Sequence, residues 1–572
     1  MFFPLLLSCT SETTKTSAPP SARVEYILDQ EWSSRPWEMQ TDPIGKEIRM
    51  EATIELADSD PIEGAGIRFA GLWWEGNLQI NGKAVPTFYG GNQEAEIPVG
   101  DYLTHGENHI SLTLKAPFNI SSKVTGGTPS SIIKEKNTAD LFFPPRLILR
   151  AQNHISGIAI PLKEGSIHPV VWTEGEESAQ VALQVELDGK ILQDLGTCPI
   201  NQGVSNCSPQ EWKLDKWDIG DPHLYQIRGI LKDKQGNILD QMVEKTGARE
   251  LGWSSEGIWI NQKKKQLLSA RMVHRRGGED FSSRLQLYQK AGVNTLEFHG
   301  ELLRKDWLSI MDELGVGAAI VPRCIGRCNH RNGGSSKEQH AFMTLQDQRL
   351  LWDIKSHPSM TLFALEGAST KRSQDSIWTE YLQNNIHNIP VFGQDLPVRL
   401  LKMELKEGKI SSQCFPKGCK GAWLVETVLQ SQFPPWDLLS QEYLKIQEEG
   451  AIGGVIPTPR KKIDLKEKYE WMEAWQGVHT TLAPTPLTTD TKRASSQITV
   501  QSKANQLVTI RAVGINTLRK KTDQKGIASF TIFYQGALEI QCGEQIIQEK
   551  VSADHWEQLQ RVSKNPYFYC EI

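Results

Sequence analysis

The sequence of 572 residues lacks any apolar run of the roughly 18–20 residues that a bilayer-crossing helix needs. It also lacks an excess of charge of either sign: 63 Lys and Arg stand against 68 Asp and Glu, for a net charge of −5. A chain that gripped nucleic acid through its phosphates would carry a basic excess, and an acidic tail protein the reverse, so no nucleic-acid partner is expected. Several site chemistries are missing too. There is no nucleophile elbow, no Gly-rich phosphate loop and no H-E-x-x-H run, and no cofactor is expected. Coiled coils and helical bundles fit poorly with 46 Gly, 29 Pro and 17 Trp, which point to turns and aromatic sheets or clefts.

What is present is ordinary globular material, 39% hydrophobic, long enough for about three to five domains. The first residues, MFFPLLLSCT, hold a short apolar run. Leu6-Leu7-Ser8-Cys9 resembles a bacterial lipobox, which implies lipidation at Cys9, export, and anchoring to a membrane of the cell envelope. The competing reading is an N-terminus with a chance cysteine. Residues 10–22, rich in Ser, Thr and Pro, read as a tether, so 1–22 is set apart as signal and tether. The other eight cysteines fall into four close pairs, Cys198/Cys207, Cys324/Cys328, Cys414/Cys419 and Cys542/Cys570. Even, local grouping suits an oxidising compartment and short-loop disulfides. Cys324, Cys328 and His330 offer a metal reading as the alternative, but no second ligand cluster lies near them in sequence, and no metal is expected.

Along the chain, residues 23–150 read as β-structure. Ile48–Leu56 and Gly106–Leu114 alternate apolar and polar, the period of half-buried strands, and Asn81-Gly82 is a hairpin turn. Short strands at this spacing predict a sandwich or jelly roll. Residues 151–250 repeat the style, with Val181–Leu187, His223–Leu231 and Ile238–Val243 as strands, and predict a second sandwich. After Gly252 strands and helices alternate: Val293–Phe298, helix Asp306–Leu314, Val316–Val321, Met360–Leu365, Ala422–Val425, Ala451–Ile456. Such alternation over 251–485 predicts parallel βα units at the length of an eightfold barrel. Residues 486–572 return to β-patterning and predict a small C-terminal sandwich. The expected fold is thus multidomain β and α/β.

This order resembles that of the family 2 glycoside hydrolases, the β-galactosidase, β-glucuronidase and β-mannosidase group: jelly roll, immunoglobulin-like sandwich, (β/α)8 barrel. Local runs agree. Leu78–Lys83 and Gly106–Ile110 resemble the family's jelly-roll hairpin and following strand, and Asp221-Pro-His-Leu-Tyr225 its "P-x-LY". Gly247-Ala-Arg249 resembles "G-x-R". Ala291–Thr295 with His299 and Asp312-Glu-Leu-Gly315 resembles "G-x-N … H … D-E-x-G", and His357-Pro-Ser359 resembles "HPS".

The resemblance implies hydrolysis of β-glycosidic bonds by a retaining mechanism, with two carboxyl groups about 5–5.5 Å apart. Glu426, at the end of the strand that begins at Ala422, falls where the family's strand-seven nucleophile belongs. A gapless match from the HPS puts Ala368 at the expected acid, and alanine cannot donate a proton. Glu366, two residues earlier and on the same strand face by alternation, is the substitute, standing roughly 6–7 Å lower along the strand. His274 and His299 are candidates for hydrogen-bonding sugar hydroxyls. Two departures accompany Ala368: Glu297 replaces the family's strand-two arginine, and Ile456-Pro457 its strand-eight aromatic. Two functions therefore stand open. One is an exported glycosidase that takes a β-glycoside or glycan. The other is an inactive scaffold of the same shape, serving as a carbohydrate-binding or surface-assembly lipoprotein.

Overall fold

The computed structural model describes residues 23–28, 47–115, 140–272, 293–299, 305–321, 356–364, 391–392, 399–406, 409–412, 423–429, 451–456, 496–551 and 567–569. Short breaks fall at 74, 90–93, 142–143, 176–179, 188, 206, 255–256, 266, 513–516 and 533–535, and residues 281, 285, 289 and 354 are described singly. The architecture is β-rich and built around several separate cores.

In the N-terminal part the period-two pattern becomes a pair of facing sheets. Along Glu47–Leu56, Met50, Ala52, Ile54 and Leu56 are buried while Arg49, Glu51, Thr53 and Glu55 face water. This strand pairs antiparallel with Gly106–Lys115 over its whole length. Asn81 and Gly82 both take positive φ, 52° and 76°, as the tight turn after Glu75–Ile80 requires. The second sheet contributes Ile67, Phe69, Leu147 and Leu149 to the shared core, where Phe69 stacks on Phe88 at 5.2 Å.

Residues 486–572, expected as a sandwich to themselves, keep a core of their own around Ile498, Val508, Phe530 and Ile540. One of their sheets, however, is continuous with the N-terminal one. Thr517–Lys521 runs parallel to Val24–Ile27, so a single eight-stranded sheet passes from the C-terminal strands into the N-terminal ones. Arg519 pins this junction. Its guanidinium bonds the Asp60 carboxylate at 2.8 and 3.0 Å and lies 5.4 Å from the centre of the Tyr26 ring.

The middle β-unit is a seven-stranded sheet from His154–Ala159 to Ile238–Thr246 with a three-stranded companion. Ile158, Val171, Leu183 and Ile227 fill its core. The expected Cys198–Cys207 disulfide is present in it, with Cα atoms 4.7 Å apart. A loop this short limits its stabilisation to about 2–3 kcal/mol. Cys542 is disulfide-bonded as well; Cys324, Cys328, Cys414, Cys419 and Cys570 lie outside the described residues. The buried Arg23–Asp240 pair ties this unit to the N-terminal one, and Asp240 also accepts the Ile155 N–H.

A second charged cluster makes the N-terminal sheet acid-sensitive. Arg68 and Arg150 both bond Glu96. Burial disfavours its ionised form, yet the two guanidinium groups prevail and hold its pKa at about 2, against 4.5 for a free carboxyl. A lowered native pKa means the contribution is complete above about pH 4.5 and fades as pH falls towards 2. Wild type is therefore expected to exceed Glu96→Gln by up to about 3 kcal/mol at neutral pH. The gap should close on acidification, as read from denaturant midpoints between pH 7 and 2. A gap independent of pH would contradict this.

The remaining large sheet is parallel. Its strands, in chain order first to eighth, are Leu267–Met272, Thr295–His299, Gly317–Val321, Met360–Ala364, Val391–Phe392, Arg399–Lys406, Trp423–Leu429 and Ala451–Ile456. Their order in the sheet is 5-4-3-2-1-8-7-6, with the short strand Lys409–Ser412 antiparallel on the sixth. The first strand therefore pairs with both the second and the eighth.

Candidate functional site

Several of the motif runs meet at one joint beneath the parallel sheet. The helix Lys305–Leu314 ends in Asp312-Glu313-Leu314-Gly315. Asp312 is 1% exposed. Its carboxylate accepts the His357 Nδ1 proton at 2.6 Å and the Ser359 backbone N–H at 2.8 Å, and its carbonyl accepts Trp217 Nε1–H at 2.7 Å. Gly315 closes the helix at φ 63°, and a Cβ there would stand 2.8 Å from the Gly220 nitrogen. Arg249 donates to the carbonyls of Pro358 and Met360. Burial lowers its pKa to about 10 against the pull of Asp312, so it stays charged at neutral pH.

Two further pairs cross the same joint, Lys245–Glu313 at 2.7 Å and Lys305–Glu244 at 3.1 Å. Burial raises the Glu313 pKa in spite of Lys245, whereas Lys305 and then His357 bring Glu244 below the usual range in spite of its burial. The joint thus clamps the middle β-unit to the start of the fourth parallel strand. It does so at the end of that strand opposite to the one from which the chain runs on to Glu366.

The two faces of the parallel sheet differ in chemistry. Residues directly opposite one another on neighbouring parallel strands share a face. One row runs Lys402, Glu426, Val455, Ser269, Thr295, Gly317. The next on that face holds Arg271, Glu297 and Ala319, and His299 follows at the end of the second strand. Ala270, Leu296, Ala318 and Phe298, Ile320 make up the other, apolar face. Crowding supports the assignment: a Cβ on Gly317 would meet Thr361 Oγ1 at 2.9 Å and Thr295 Oγ1 at 3.2 Å. Helix-covered sheets turn their apolar face to the helices, which leaves the Glu426 face as the one that bears charge. Ser269 lies on it with a buried hydroxyl that has no partner among the described residues.

Glu426 is in register but is not the last residue of its strand. Val455 is its partner on the eighth strand and the last residue there to pair with the seventh. Thr427–Leu429 continue, held by Met403–Leu405 of the sixth strand. Glu426 therefore marks where pairing of the seventh strand with the eighth ends while its pairing with the sixth goes on. Glu366 and His274 lie outside the described residues, as does Cys9. The fourth strand ends at Ala364, two residues before Glu366. Sequence reading passed over the sixth strand and with it Lys402. The signal was there: Leu401, Met403 and Leu405 alternate with Lys402, Glu404 and Lys406. Among the described residues no group of three His, Cys, Asp or Glu side chains is placed to hold a metal.

No family model matches the sequence, and no curated protein matches it. Solved structures do. The β-glucuronidase of Ruminococcus gnavus aligns at 14% identity over 80% of this chain and 84% of its own, with a TM-score of 0.55. That of Bifidobacterium dentium, complexed with coumarin-3-O-glucuronide, aligns at 15% over 81% and 88%, again at 0.55. The Lactobacillus rhamnosus β-glucuronidase gives 16%, 80%, 88% and 0.55. At such identities the likeness is one of fold: the chain shares the β-rich, multidomain fold of these glycoside hydrolases over about four-fifths of its length.

Proposed function

We propose that the protein is a β-glycoside hydrolase whose eight parallel strands close into a (β/α)8 barrel, with Glu426 as nucleophile on the inner face and Glu366 as acid/base. The observation that carries this is the strand order 5-4-3-2-1-8-7-6. A parallel sheet in which the first strand pairs with the eighth is the order of a ring opened between its fifth and sixth strands. In such a ring the charged face is the inner one, and strand ends form the mouth where barrel active sites sit. Ahead of the barrel, residues 23–150 and 151–250 serve as the jelly-roll and immunoglobulin-like modules. On the fourth strand Leu362 lies opposite Ala319 on the Glu426 face, and Glu366 follows the end of that strand by two residues in the sequence. A uronide is the first substrate to try, because one of the matched glucuronidases holds coumarin-3-O-glucuronide.

Export with a lipid anchor at Cys9 completes the proposal. It is supported by the lipobox-like run and by the Cys198–Cys207 disulfide, which suits an oxidising compartment.

The second reading, a glycan-binding scaffold without turnover, is favoured by one feature, Ala368 at the expected acid. Leaving groups separate the two. If Glu366 donates the proton, Glu366→Gln should lose most activity on alkyl β-glycosides and least on nitrophenyl ones, whose departure needs little protonation. Equal loss on both would reject Glu366 as the acid. Binding of glycans with no turnover of either class would establish the scaffold.

A further inference from the structure

Glu426 has a lysine as its register partner that no motif marks. Lys402 on the sixth strand is its directly opposed register partner, with Leu401↔Val425 and Met403↔Thr427 on either side. Neighbouring strands lie about 4.8 Å apart, so the two backbone positions are adjacent on one face. Resting on the reading of Glu426 as nucleophile, we infer that Lys402 is a positioning residue that keeps this carboxylate ionised and oriented for attack on the anomeric carbon.

The surrounding charges single out this pair. On the sixth strand the same face also holds Glu404 and Lys406, but Glu404 is opposed by Val428 and Lys406 by Lys409 of the antiparallel strand. The seventh strand offers no other titratable residue, and the eighth, Ala451–Ile456, has none at all. Beyond them stand Arg271, Glu297 and His299, and there Arg271 opposes Glu297 in register. At two places on this face, then, a basic residue is the register partner of a glutamate on the next strand. An opposite charge within about 4–6 Å lowers a carboxyl pKa by about 1–3 units. A lysine so placed would favour the ionised form of Glu426, the form a nucleophile needs.

The test is the pH dependence of kcat/KM, whose acidic limb reports the ionisation of the free enzyme's essential base. With a nitrophenyl β-glycoside that the wild type cleaves, Lys402→Met should move that limb up by about 1–2 pH units, and Lys402→Arg should restore it. A limb that stays in place in Lys402→Met, while Glu426→Gln is inactive, overturns the inference and leaves the reading of Glu426 intact. Turnover that survives Glu426→Gln removes that reading and this inference together. Contact is checked without activity by melting temperatures of Lys402→Met, Glu426→Gln and the double variant. The pair predicts that the double loss falls short of the sum of the single losses; additive losses overturn it.

Discussion

Glu426→Gln is expected to lower kcat/KM for an aryl β-glycoside by at least about a thousandfold while leaving the protein folded. The substitution keeps shape and removes only the nucleophilic oxygen. An amide cannot form the glycosyl ester on which retention depends, so the loss should fall on turnover more than on binding. The backbone position explains why the effect should be this large. Glu426 lies where the eighth strand's pairing stops and the sixth continues, on the face that carries Arg271, Glu297 and Lys402. A glutamate on the apolar face of Leu296, Phe298 and Ala318 would instead be expected to cost stability when buried and to do no chemistry. Turnover within a few-fold of wild type would show that Glu426 is only a polar residue of the sheet.

Asp312→Ala is expected to be the most destabilising single change in the described parts of the molecule, by about 3–5 kcal/mol. The carboxylate is buried and serves two donors, His357 Nδ1 and the Ser359 N–H. Removing it strands both, and leaves Arg249, whose buried charge Asp312 supports, with less compensation. Asp312→Asn, which can still accept one bond, should lose less. The readout is the denaturant midpoint at neutral pH, taken on the transition that includes the parallel sheet. A loss below about 1 kcal/mol would mean that the joint is redundant, with the Lys245–Glu313 and Lys305–Glu244 pairs sufficient to hold it. Any activity should fall in parallel, because the joint fixes the start of the fourth strand.

The elements that the sequence announced were those whose own residues carry a local periodic or turn pattern. Glu47–Leu56 and Gly106–Lys115 alternate because each has one face on the core and one in water, and alternation is a local signal. The Asn81-Gly82 turn and the helix Lys305–Leu314 were legible for the same reason. The joining of Val24–Ile27 to Thr517–Lys521 was not, because backbone hydrogen bonds between strands almost five hundred residues apart leave no periodic mark. Lys190–Asn201 was also missed. Its partnership with Gln180–Leu187 shifts register twice, so strict alternation is broken. At the candidate site, Glu426 was proposed from its position, and Asp312, His357 and Arg249 stood in the quoted motif runs. Their joining into one clamp, and the pairing of Lys402 with Glu426, depend on contacts between distant segments that spacing does not encode.

The most direct test is covalent trapping. Activated 2-deoxy-2-fluoro-β-glycosides, beginning with the uronide, slow breakdown of the glycosyl-enzyme so that intact mass and peptide mapping can read it. One added glycosyl mass, carried by the peptide that contains Glu426 and absent in Glu426→Gln, is the predicted result. A label on a different carboxylate, or wild-type enzyme that turns over the parent glycosides yet never acquires the mass, would contradict the account.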